Sequence, residues 1–152
     1  VDTAELVTPS GSEPVGTLPT PRLNPRVVAL DDGVVVVAAG TGTGGGTLSD
    51  VLVDDSEAET FAATPVRIQP RNAWHAVALP GARALLVSDE QEGAPTRDVV
   101  LLRSLGTALR IELVSERFDI DGLGAIDGVR LAVLPDGDVL VTGSEAGRAG
   151  AY

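Results

Sequence analysis

Apolar residues fall along this chain in short runs, each stopped by a turn signal. Three segments share one layout: "RVVALDDGVVVVAAG" (26–40), "HAVALPGARALLVSD" (75–89) and "RLAVLPDGDVLVTGS" (130–144). Each is an apolar run ending in Leu, a tight Asp-Gly or Pro-Gly type turn, and a second apolar run. The abundance of Val favours strands, because branching at Cβ restricts χ1 in a way that suits a pleated sheet. Asp32-Gly33 and Asp136-Gly137 are strong hairpin signals, since Gly supplies the positive φ such turns need. The leucines before the turns are Leu30, Leu79 and Leu134, spaced 49 and 55 residues apart.

A second pattern interleaves with the first. "LSDVLVDDSEAETF" (48–61) and "TRDVVLLRSLGTALRIEL" (96–113) each read as strand, polar turn, strand, and "TAELVTPSGSEPVGTL" (3–18) repeats that layout at the front. The order is a second half, two complete units, then a first half. Each complete unit has four strands in roughly fifty residues, a period that points to a repeat architecture.

This period and layout resemble the kelch repeat, one blade of a β-propeller. "AELVTPSGSEPVGTLPTPR" (4–22) is similar to the closing strands of that family, and "RNAWHAVAL" (71–79) to its opening Arg-x-x-x-His followed by small residues. The family's Gly-Gly doublet is replaced by Ala39-Gly40, Ser88-Asp89 and Gly143-Ser144, and its fourth-strand Trp by Phe61 in one unit. The resemblance implies an all-β propeller of four-stranded antiparallel blades. Residues 23–71 and 72–122 would be complete blades; 1–22 would be the outer two strands of a split blade and 123–152 its inner two. A generic β-sandwich also has short strands with regular turns, but it does not explain two interleaved patterns in register.

Three blades do not close a ring, since propellers usually have four to eight. Two copies would: the C-terminal hairpin of one pairing with the N-terminal strands of the other, twice, gives six blades with two-fold symmetry. The expectation is therefore a homodimer in which folding and association are coupled. The alternative is that the chain is half of a longer propeller.

Composition narrows the partners. Hydrophobic residues make up 43% of the chain but aromatics only 3%, so the core is built from Val, Leu and Ala. The net charge is −11, and all 11 basic residues are Arg. A nucleic-acid binder needs a basic face to displace phosphate counterions, so nucleic acid and anionic membranes are poor candidates. With no Cys there is no disulfide, thiolate nucleophile or Cys-ligated metal. No apolar run approaches the ~20 residues of a membrane helix, so membrane insertion by a helix is not expected.

Candidate chemistry is sparse. Arg26, His75 and Arg130 open the first strand of each unit, which in a propeller lies next to the channel. They could gather an anion through charge-assisted hydrogen bonds; the alternative is that they bond neighbouring loops, as Arg22 and Arg71 are also expected to do. "FDIDGLGAIDG" (118–128) puts Asp119, Asp121 and Asp127 at calcium-loop positions with Gly124 at the sharp turn. Leu123 and Arg130 stand where two further ligands belong, so an ordinary connecting loop competes with calcium, and no other cofactor is indicated. "GTGTGGG" (40–46) lacks the Lys and following helix of a phosphate loop. No Ser or Asp stands in a recognisable motif with His75. The copper radical site of one kelch-related class needs Tyr, His and Cys ligands that one Tyr, one His and no Cys cannot supply. The expected function is a non-enzymatic scaffold or binding module for a protein or glycan partner. The alternative is an anion-binding or catalytic site on Arg26, His75 and Arg130.

Overall fold

The computed structural model describes residues 2–55, 58–71, 73–89, 98–105, 111–115, 126–145 and 148–151. Among them there is no helix, and the strands form a curled, half-barrel arrangement of sheet. The fold is all-β.

β1 (Thr3–Thr8) and β2 (Gly11–Thr17) form a hairpin. β3 (Arg22–Leu23) leads into β4 (Arg26–Ala29) and β5 (Val35–Ala38). β6 (Thr41–Gly42) pairs back onto β3 and closes the Gly-rich loop. β7 (Asp50–Asp55) and β8 (Thr60–Arg67) complete an antiparallel meander in the order β4-β5-β7-β8. The β1-β2 hairpin joins the outer strand of that meander through a single parallel pairing, Thr17 with Thr60, to make a six-stranded sheet. A second meander runs β9 (Trp74–Leu79), β10 (Arg83–Ser88), β11 (Val99–Ser104), β12 (Ile111–Ser115). The last sheet holds β13 (Ile126–Val133), β14 (Val139–Glu145) and β15 (Arg148–Ala151). β15 and the β3-β6 pair are strands that the hairpin pattern does not predict, because their sequences are short and rich in small residues.

Alternation along the strands gives each sheet two apolar faces, and the sheets stack face to face. One face of the first meander (Val28, Val36, Val51, Val53) meets Trp74, Ala84, Leu86 and Leu102 of the second. The other face of the second meander (Val87, Val99) meets Val129 and Val141 of the last sheet. Each fully buried Val or Leu contributes about 1.5–3 kcal/mol relative to exposure. The first strands β4, β9 and β13 lie beside one another across these boundaries without pairing.

The outward face of the first meander is different. Val37 and Leu52 are buried there at 3% and 0% exposure, with Phe61, because Ala4 and Leu18 of the N-terminal segment lie over them. Val27 pairs directly with Val37 and shares that face, yet it is 61% exposed. The face is covered over its outer strands and open at its inner strand.

Backbone chemistry fixes the turns. Leu30 and Leu134 each accept from the Gly three residues on and donate to the carbonyl four residues on. Asp32 and Asp136 then bond the backbone N–H two residues later, the Asp-turn geometry. Gly33 and Gly137 carry φ of 90° and 92°, which only Gly adopts without strain. The Asp31 carboxylate accepts from the backbone N–H groups of Gly81 and Ala82, tying the first hairpin turn to the next.

Candidate functional site

Arg26, His75 and Arg130 hold equivalent register positions on three neighbouring first strands, opposite Ala38, Val87 and Thr142. Arg26 begins β4 and donates through Nε to the carbonyl of Trp74, the first residue of β9. His75 follows on β9, and Arg130 sits on the adjacent β13. Both guanidinium charges act on the imidazole. Arg130 uses Nη1 on the carbonyls of Gly128 and Val129 in its own strand.

His75 is oriented by an acid. Its Nε2 lies 3.0 Å from Asp89 Oδ1, and 15% of its side chain is exposed. Asp89 also accepts from the Val129 N–H of the last sheet, and its own N–H bonds Ala73. One carboxylate thus ties the first strand of the second meander to the first strand of the next sheet. Burial pushes the His75 pKa below its usual value; Asp89 opposes this by charge and hydrogen bond, while Arg26 and Arg130 add to the lowering.

That shift makes stability pH-dependent with a definite sign. The folded pKa lies below the unfolded one. Above the unfolded pKa neither state carries the proton, and His75 adds nothing. As pH falls through the unfolded value, the unfolded chain takes a proton that the fold resists, so stability drops until pH passes the folded pKa. The urea midpoint is expected to fall between about pH 7 and about pH 5.5, around the unperturbed His range. His75→Gln should make that fall smaller; an equal or steeper fall in the variant would contradict the assignment.

Arg22 and Arg71 are structural, each clamped on an Asp at the head of a third strand: Asp50 is the first residue of β7, and Asp98 immediately precedes β11. Buried Arg22 grips Asp50 through two bonds, Nη1 to Oδ1 at 3.3 Å and Nη2 to Oδ2 at 2.8 Å, and donates to the carbonyls of Thr20 and Ala39. Arg71 Nε meets Asp98 Oδ2 at 2.5 Å. The sequence carries the signal for both pairs: Asp50 and Asp98 each precede an apolar run and lie 28 and 27 residues after their Arg. Asp89 is harder to find, since it occupies a position where the resemblance leads one to expect Gly.

The calcium-like segment is not brought together. Asp119 and Asp121 lie outside the described residues, and Asp127 is known only as a β13 position paired with Ser144. Among the described residues no group of three or more His, Asp or Glu side chains could hold a metal ion. The "GTGTGGG" loop is a closed turn: Gly42 donates to Gly46, Gly45 to Gly42, and Leu48 to Gly40. Gly40 itself has φ of 98°, and a Cβ there would stand 2.8 Å from the Leu23 carbonyl, so its small size serves backbone packing. Trp74 is buried with its Nε1 on the Gln69 carbonyl, a core role. No protein-family model matches this sequence, and no curated protein matches it either.

Proposed function

We propose that this chain is half of a six-bladed, kelch-type propeller closed by a second copy of itself, and that the closed ring is a non-enzymatic binding module. In this reading the two meanders are blades, β13 and β14 are the inner strands of a split blade, and β1 and β2 are its outer strands in the partner. The observation that carries the reading is the half-covered face of the first meander. The N-terminal segment lies over Val37, Leu52 and Phe61, where the outer half of a preceding blade would lie. Val27 waits beside them, where the inner half would lie.

The last sheet offers a fitting counterpart. Ala132 and Leu140 pair across β13 and β14 on the face turned away from the second meander. β15 occupies only the Thr142–Glu145 part of the outer edge of β14, and within the described residues Val139–Val141 pairs on that side with nothing. An edge left open in this way is a template for a further strand. The side-by-side placement of β4, β9 and β13 supports this reading, since inner strands set around a propeller axis would lie that way.

A binding role rests on composition and position. His75 hydrogen-bonds Asp89 and, among the described residues, no hydroxyl nucleophile. The loops between second and third strands vary from unit to unit, as "GTGTGGG" and "SDEQEGAPTRD" illustrate, and such loops on one face are where repeat proteins engage a protein or glycan partner. The acidic surface disfavours nucleic acid. Closure is tested by the native mass in dilute solution: two chains are expected, and a folded single chain would overturn it.

A further inference from the structure

Two boundaries between sheets are built alike. Arg26, His75 and Arg130 each stand four residues before a turn leucine, Leu30, Leu79 and Leu134. At the first boundary Arg26 donates to the carbonyl of Trp74, the residue just before His75. At the second, the Asp89 held by His75 accepts from the N–H of Val129, the residue just before Arg130. In both cases the side chain, directly or through one acid, reaches the backbone one residue ahead of the next such position. Arg130 has no such contact among the described residues. It is exposed, spends Nη1 on two carbonyls of its own strand, and leaves Nε and Nη2 without a partner there. The apolar residues beside it differ in the same way. Val28 and Leu30, which follow Arg26 on its face, are 7% and 5% exposed, in one cluster with Trp74 and Leu86. Ala132 and Leu134, which follow Arg130, are both exposed, Leu134 at 38%.

The chain itself carries the matching acceptor. The residue just before Arg26 is Pro25, and among the described residues no donor reaches its carbonyl. Proline has no N–H, so its backbone offers only an acceptor, while a guanidinium offers only donors. The place of Asp89, two residues after Val87, is Ser144 in the third unit, two after Thr142. No carboxylate at that position claims the Arg130 guanidinium. Two residues beyond Pro25 stands Val27, which is 61% exposed; two beyond Trp74 stands Ala76, which packs against the Val28 cluster. We propose that Arg130 donates to the Pro25 carbonyl of a second copy, with Ala132 and Leu134 against that copy's Val27, repeating the contact that Arg26 makes with Trp74. This contact rests on the closure proposed above and names the residue that seats it. Two-fold symmetry makes the same contact twice.

Arg130→Gln should weaken self-association about tenfold, the loss of a hydrogen bond from a charged donor. Arg103→Gln, at an exposed place on β11, makes the same change in net charge and should leave association as in the parent. Arg130 bonds only its own strand, so its variant is expected to fold, and circular dichroism confirms this first. Sedimentation velocity over a dilution series reads the association. The acceptor is read separately by NMR, with carbonyl-13C proline and 15N arginine. That labelling isolates the Pro-Arg peptides at 21–22, 25–26 and 70–71, and Pro25→Ala assigns the middle one by its loss. In Arg130→Gln, at a concentration where the copies remain paired, the Pro25 carbonyl signal should move upfield while the other two stay. A parent dimer whose folded Arg130→Gln variant associates equally well, or whose Pro25 signal does not move, overturns this contact and leaves closure standing. A parent that remains a folded single chain overturns both.

Discussion

Val27→Asp is expected to weaken self-association by at least about a hundredfold. Within one chain the change is nearly silent, because Val27 is 61% exposed and exposed substitutions usually shift stability by less than about 0.5 kcal/mol. In the proposed closed ring the same position would be covered, and the carboxylate would enter an apolar layer beside Val37 and Leu52. Burying an unpaired charge is strongly unfavourable, and each factor of ten in affinity needs only about 1.4 kcal/mol. Two-fold symmetry introduces the Asp at both closures, doubling the effect. Sedimentation velocity across a dilution series measures it. Equal association of variant and parent would remove Val27 from the interface.

Arg22→Met should cost about 3–5 kcal/mol of folding stability, the range for breaking a buried ion pair from one side. The Arg22 side chain is fully buried against an Asp50 that is 20% exposed, so the carboxylate loses its partner while still largely shielded from water. The Ala39 and Thr20 carbonyls lose a donor in the same step. For a domain whose total stability is of order 5–15 kcal/mol this is a large share. Adding Asp50→Leu should recover much of the loss, since removing both charges leaves neither uncompensated. Urea unfolding of the single and double variants reads the effect. A loss below about 1 kcal/mol in Arg22→Met would show that the pair contributes little.

The hairpins are legible in the sequence because turn chemistry and alternation agree. Asp32-Gly33 and Asp136-Gly137 specify both the turn and the positive φ, and Val runs on either side specify the strands. The all-β class follows from the same signals. β3, β6 and β15 escape such reading, because Thr-Gly and Arg-Ala-Gly-Ala carry no alternation, and their pairing depends on what the rest of the fold places beside them. The site divides in the same way. Arg26, His75 and Arg130 can be found from their equivalent positions in three units. Asp89 cannot, because its role depends on the Val129 N–H arriving from another sheet. The Asp119 and Asp121 pattern remains a sequence feature only.

Closure by a second copy is the central claim, and light scattering coupled to size-exclusion chromatography at low micromolar concentration tests it most directly. The account predicts a folded species with the mass of two 15.5 kDa chains, whose β-sheet signal is lost only as the dimer dissociates. A stable, β-rich species with the mass of one chain, unchanged on dilution, would contradict it.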